Sequence, residues 1–208
     1  MRVLGISGSP RKNGNTQILL EEALASAREA GAEAELIILQ GKDIKPCDGC
    51  EACSKTGRCH INDDMQPLYD KLLETDAIIF GTPIYFFSMT GQLKVFMDRT
   101  YALTYPTRRL ANKVGAVITV SARTGNMSAI SLFYTYFAYN RLLGTDAVYG
   151  FASTKGAIKK DAFAMKTASE LGKEVVALIG ALRYPPEYQD SITRMVPKKY
   201  GIKSSPFE

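Results

Sequence analysis

The segment Asp76-Ala77-Ile78-Ile79-Phe80-Gly81 limits what this chain can become more than any other stretch. It is nearly all apolar and short, which is the pattern of a strand buried on both faces. Such a strand belongs in a parallel sheet with helices on either side. The rest of the chain supplies the neighbours in alternation. Residues 2–6, 34–39, 113–120 and 145–151 read as four further strands. Between them, Leu19, Leu20, Ala23, Leu24 and Ala27 repeat at helical spacing, and Gly31 closes that helix. Asp63 or Asp64 is expected to cap a second helix through Met65, Leu68, Tyr69, Leu72 and Leu73. Further helices are expected over 91–101, 127–143 and 160–182, and residues 41–62 read as one long loop.

This alternation predicts an α/β fold: a doubly wound, five-stranded parallel sheet. In such sheets ligands bind beyond the carboxyl ends of the strands. Three loops with binding chemistry leave such ends, after the first, third and fourth strands.

The chain has 208 residues, enough for one domain of 1–184 with a C-terminal extension at 185–208. No apolar run approaches the roughly 18 residues of a membrane span. The start, Met1-Arg2-Val3-Leu4-Gly5-Ile6-Ser7, turns polar too soon for a secretory signal, so a cytoplasmic location is expected. The formal net charge is +5, but Lys and Arg are scattered, so neither nucleic acid nor a membrane surface is an expected partner.

The loop after the first strand, from Ser7 to Thr16, carries the hydroxyls of Ser7, Ser9 and Thr16, the cation Arg11, the amide of Asn15, and Pro10. It opens onto a helix N-terminus, where backbone N–H groups and the helix dipole favour a phosphate. It matches neither the Walker A pattern nor G-x-G-x-x-G. The plainer reading of the same residues is a turn with Asn15 or Thr16 as N-cap. A flat isoalloxazine needs apolar walls and a few polar donors. Pro83-Ile84-Tyr85-Phe86 offers the walls, and Ser121, Arg123 and Gly125 offer donors and close approach.

Ser7-Gly8-Ser9-Pro10-Arg11 through Asn15-Thr16 resembles the phosphate loop of the NADPH-dependent FMN reductase-like flavoproteins. Thr82-Pro83-Ile84-Tyr85-Phe86, followed by Lys94 and Asp98-Arg99, resembles that group's second signature. The likeness spans residues 1–150. It implies a flavodoxin-like fold, bound FMN, and a homodimer or homotetramer with flavin near a subunit interface. In the resembling family Asp98-Arg99 is more often structural than catalytic.

All four cysteines lie in one loop, as Cys47-x2-Cys50-x2-Cys53-x5-Cys59. Three cysteines at three-residue spacing can wrap three corners of a cubane, and the fourth completes the thiolate set of one [4Fe-4S] cluster. Zinc is the rival, on four thiolates or on three with His60, although zinc sites usually pair two separated C-x2-C knuckles. The spacing, after the second strand, resembles the iron–sulfur flavoprotein family over nearly the whole chain. That resemblance implies a [4Fe-4S] cluster near FMN and electron exchange with ferredoxin or a similar one-electron carrier. No side chain is expected to act as acid, base or nucleophile. Two alternatives stand beside this reading. One is an NAD(P)H-dependent FMN or quinone reductase with zinc in the cysteine loop. The other is a metal-stabilised interaction module without flavin.

Overall fold

The computed structural model describes residues 1–104, 107–181 and 183–185. Among these, five strands form one sheet: β1 (Arg2–Ser7), β2 (Glu33–Ile38), β3 (Ala77–Pro83), β4 (Val114–Ser121) and β5 (Leu143–Phe151). Their order is β2-β1-β3-β4-β5, with every neighbouring pair parallel. This is the flavodoxin-like order, and its topological switch lies between β1 and β3. The helices are α1 (Asn15–Glu29), α2 (Ala52–Thr56), α3 (Gln66–Glu74), α4 (Gly91–Arg99), α5 (Asn126–Asn140) and α6 (Ala162–Leu178).

Strand side chains alternate between faces, and this divides the core in two. Val3, Ala77, Ile79, Ala116 and Ile118 pack with Leu20, Leu24, Leu171 and Val175 of α1 and α6. Leu4, Ile6, Ile78, Phe80 and Val117 pack with Leu72, Phe96, Phe133 and Phe137 of α3, α4 and α5. The cysteine loop lies against this second face, where Cys53 and Cys59 touch the apolar cluster. Lys113, just before β4, donates its ammonium protons to the carbonyls of Leu73 and Thr75 and so closes the C-terminus of α3.

Helices α1 and α6 meet at Gly172. A Cβ there would collide with the carbonyl oxygen of Ala23 and lie 2.9 Å from the nitrogen of Ala27. Both obstacles are backbone, which cannot rotate aside. Gly172→Ala is therefore expected to destabilise the fold by about 3 kcal/mol, read as a lower urea midpoint at unchanged slope.

Several boundaries differ from the sequence reading for identifiable reasons. The long loop contains the one-turn helix α2, which ends at Gly57 with φ +70°. Helix α5 stops at Asn140 because Arg141 turns left-handed, with φ +61°. Helix α6 starts at Ala162, where the Asp161 carboxylate accepts from the N–H of Ala164. It ends at Leu178. Neither Asp63 nor Asp64 is the N-cap of α3; Met65 holds that position. Gly14, rather than Asn15 or Thr16, is the N-cap of α1. Apart from Pro185, the expected extension at 185–208 lies outside the described residues. No helix among the described residues is long and apolar enough to cross a membrane.

Candidate functional site

The loops after β1, β3 and β4 meet at the carboxyl end of the sheet. Gly8, just past β1, is the junction. Its N–H donates to the carbonyl of Gly81 at 2.8 Å. Its carbonyl accepts from the Thr90 hydroxyl at 2.7 Å and from the Gln92 amide at 2.9 Å. Thr90 also caps α4 through the N–H of Leu93. One threonine thus ties the candidate phosphate loop to the loop after β3. Sequence reasoning missed Thr90 and Gln92, because each reads alone as an ordinary helix start.

Within the phosphate loop, Ser7 and Ser9 are buried, while Pro10 and Arg11 are exposed. The Ser9 hydroxyl accepts from the N–H of Arg11 at 3.1 Å. The Ser7 hydroxyl is buried without a hydrogen-bond partner, an arrangement that costs free energy unless a ligand supplies the bond. No side chain caps α1, so its first-turn N–H groups are not consumed internally. Thr16 is buried behind the loop. Asn15 is engaged elsewhere. Its amide nitrogen donates to the carbonyl of Thr154 at 2.8 Å, and its oxygen accepts from the N–H of Ile158. It therefore moors the connection between β5 and α6 against the phosphate loop.

The ring-binding candidates come together next. Pro83 ends β3, and the N–H of Ile84 donates to the carbonyl of Val120. Tyr85 and Ser88 pair across a tight turn, with Phe86 (φ +48°) and Phe87 (φ +68°) at its tip. Two left-handed phenylalanines are unusual, since Asn and Gly normally occupy such a turn. Phe86 is 97% exposed. From the other side, Ser121 ends β4 and its hydroxyl accepts from the Asn126 amide at 2.9 Å. Arg123 is exposed. Gly125, at φ +97°, passes so close that a Cβ would lie 2.8 Å from Ile84 and 3.1 Å from the backbone of Phe87. Only glycine allows the two loops to touch here.

The cysteine loop leaves the same end of the sheet and is clamped at its base. The Arg99 guanidinium donates to the carbonyl of Lys45 at 2.7 Å and to the Asp63 carboxylate at 2.5 and 3.1 Å. Both side chains of this pair have 0% exposure. Burial pushes the Asp63 carboxyl upward, but bonds from Arg99 and from the N–H groups of Lys45 and Met65 outweigh it and hold the group below its usual range. At the far end of the loop, Arg109 donates to the carbonyls of Gly57 and Ala102. Lys94 is exposed and pairs with Asp98 at 2.6 Å. Of the second signature's charged residues, only Arg99 reaches the interior.

All four thiols are free; Cys47 and Cys50 are exposed, and Cys53 and Cys59 half-buried. Burial raises the Cys53 thiol, and the nearby sulfurs of Cys59, Cys47 and Cys50 raise it further. Among the described residues, the only three metal-binding groups within 4.8 Å of one another are Asp48, Cys50 and His60. Four thiolates on one zinc, with Zn–S about 2.3 Å, would sit about 3.8 Å apart. No three of the cysteine sulfurs lie within 4.8 Å of one another. His60 contacts Asp48 at 2.7 Å.

The NADPH-dependent FMN reductase family model matches residues 1–150. An iron–sulfur flavoprotein of Methanocaldococcus jannaschii is 37% identical over 193 residues, covering 88% of this chain and 100% of the relative. The chain belongs to the iron–sulfur flavoproteins of the NADPH-dependent FMN reductase family. An iron–sulfur flavoprotein of Methanosarcina thermophila is 32% identical over 179 residues, covering 84% of this chain and 93% of its own. A flavodoxin from the domain Archaea aligns with a TM-score of 0.59 at 16% identity, over 86% of this chain and 99% of that one, which shows the shared fold. In this family member the cysteine loop follows β2, as the sequence spacing predicts.

Proposed function

We propose that the protein is an electron-transfer flavoprotein carrying one FMN and one [4Fe-4S] cluster. It takes electrons singly from ferredoxin or a similar one-electron carrier and delivers them to an acceptor. When bound, the flavin exchanges one or two electrons and the cluster one at a time. The observation that carries this reading is the gathering of four thiols on one clamped loop, at the end of the sheet where the three strand-tip loops converge.

Cys47, Cys50, Cys53 and Cys59 are the thiolate ligands. Cys53 and Cys59 stand on the dry side of the loop, while Cys47 and Cys50 face solvent. Ser7, Ser9, Pro10, Arg11, Asn15 and Thr16 form the phosphate cradle. There Ser7 offers its unpartnered hydroxyl, Arg11 its charge, and Asn15 holds the neighbouring loop in place. Pro83, Ile84, Tyr85 and Phe86 wall the ring. Ser121, Arg123 and Gly125 line its polar edge, where Arg123 favours negative charge on the reduced flavin. No side chain transfers a proton or forms a covalent bond. The exposed aromatic tip supports a homodimer or homotetramer in which a second subunit covers it. A cytoplasmic location suits thiolate ligation.

Protein purified and kept under anaerobic conditions is expected to be brown and to hold about four iron atoms per chain. Metal analysis and an absorption spectrum of one sample read both cofactors. A yellow preparation that stays free of iron after anaerobic reconstitution defeats the proposal. The family's description also favours a second reading, an NAD(P)H-dependent FMN or quinone reductase. Fast bleaching of the flavin by NADPH in stopped flow would select it.

A further inference from the structure

We infer, on the FMN assignment above, that Gln92, with Thr90 beside it, holds the Gly8–Ser9 peptide so that its N–H meets the flavin phosphate, and thereby makes the site select FMN over riboflavin. Gln92 is then a positioning residue that lies outside the phosphate loop. It stands in the first turn of α4. Leu93 and Phe96 of that helix pack in one apolar cluster, whereas Leu19 and Leu20 of α1 pack in the other, across the sheet.

Two donors act on one atom. The Gly8 carbonyl accepts from the Thr90 hydroxyl at 2.7 Å and from the Gln92 side-chain amide at 2.9 Å. A carbonyl oxygen has two lone pairs, so this one is saturated. The loop also packs directly on α4, since a Cβ on Gly8 would lie 2.6 Å from the Cβ of Leu93. A trans peptide points its C=O and its N–H in opposite directions. The carbonyl of Gly8 is drawn toward α4, so the N–H of Ser9 is turned toward the side of the sheet that carries α1.

On that side lie the groups an anion needs. Ser9 is 4% exposed, and its N–H has no acceptor among the described residues. The Ser7 hydroxyl is likewise buried and unpartnered. Ser9 lies beside the N-cap of α1, where a Cβ on Gly14 would be 3.4 Å from the Ser9 hydroxyl oxygen. Buried donors are costly unless an acceptor meets them, and a charged phosphate oxygen makes the stronger kind of bond. A Gly8–Ser9 peptide free to rotate could present its carbonyl instead, which repels a phosphate. Gln92 and Thr90 oppose that rotation. Riboflavin has no phosphate, so its binding gains nothing from the orientation.

Gln92→Met removes one donor and keeps the length of the side chain. Titrations of the flavin-free, full-length protein, followed by flavin fluorescence, are expected to show FMN binding weakened about fivefold and riboflavin binding as in the parent. Equal weakening for both flavins shows a residue that only supports the fold, and it overturns the inference; so does unchanged FMN binding. Where that variant fails to fold, the isotope-labelled parent decides by magnetic resonance. Its Ser9 amide proton is expected to shift downfield with FMN and to stay in place with riboflavin. A proton that ignores FMN, or that moves equally with both flavins, overturns the inference. Parent protein that binds no FMN overturns the functional reading and this inference together, whereas parent protein that binds FMN beside a Gln92→Met variant of equal affinity overturns this inference alone.

Discussion

Arg99→Met is expected to destabilise the protein by about 3–5 kcal/mol and to lower its cluster content. The substitution keeps most of the side-chain volume but removes the charge. Asp63 is then left as a buried carboxylate with 0% exposure and no counter-ion, and the carbonyl of Lys45 loses its donor. Breaking one half of a buried pair costs more than the pair is worth, because the survivor keeps its desolvation penalty. The effect reaches beyond stability, since Arg99 joins Lys45 on one side of the cysteine loop to Asp63 on the other. Without it the loop loses the clamp at its base. Urea denaturation measures the first effect and iron analysis the second. A variant as stable as the parent, with full iron, would refute the clamp.

The pH dependence of this pair follows from the sign of the Asp63 shift. In the folded chain the carboxyl lies below its ordinary value of 3.8, because bonds from Arg99 and two N–H groups overcome burial. The unfolded chain therefore binds the proton more readily. The stabilisation is present above the unfolded value and is lost as pH falls through the lower, folded one. In Arg99→Met the orphaned carboxyl shifts the other way, and protonation relieves it. The gap in stability between parent and variant should thus narrow as pH falls. The double variant Arg99→Met with Asp63→Asn should recover part of the loss at neutral pH, since no buried charge remains.

Cys53→Ser is expected to remove nearly all iron, from about four atoms per chain to below one, while the FMN content holds. Cys53 packs against the core, and burial, then the charges of the other three sulfurs, raise its thiol. A serine hydroxyl is a poor substitute for thiolate at a soft iron site. The flavin loops make their own contacts through Gly8, Thr90 and Gly125, so they do not depend on this sulfur. The variant should be yellow where the parent is brown. Iron retained at the parent level would show that Cys53 is no ligand, and FMN lost together with iron would show that the two sites are not built independently.

The sequence by itself determined the sheet, the helices on both faces and the places where chemistry gathers. These are local signals. An apolar run such as 76–81 carries its burial in its composition, a helix carries its face in its period, and the cysteine spacing carries its ligand geometry within 13 residues. Only the tertiary structure decided what Arg99, Tyr69 and Asn15 do. In the sequence, Arg99 is one more cation at a helix end, Tyr69 one more apolar position, and Asn15 a plausible cap. Their roles depend on partners 30 to 143 positions away. Whether a charge is buried and paired, or a hydroxyl meets a carbonyl, is settled by which distant backbone groups the fold brings alongside, and no periodicity encodes that. The left-handed Phe86 and Phe87 belong with them. Local preference argues against two phenylalanines at that turn, yet the backbone of Phe87 lies close against Gly125 across the strand tips.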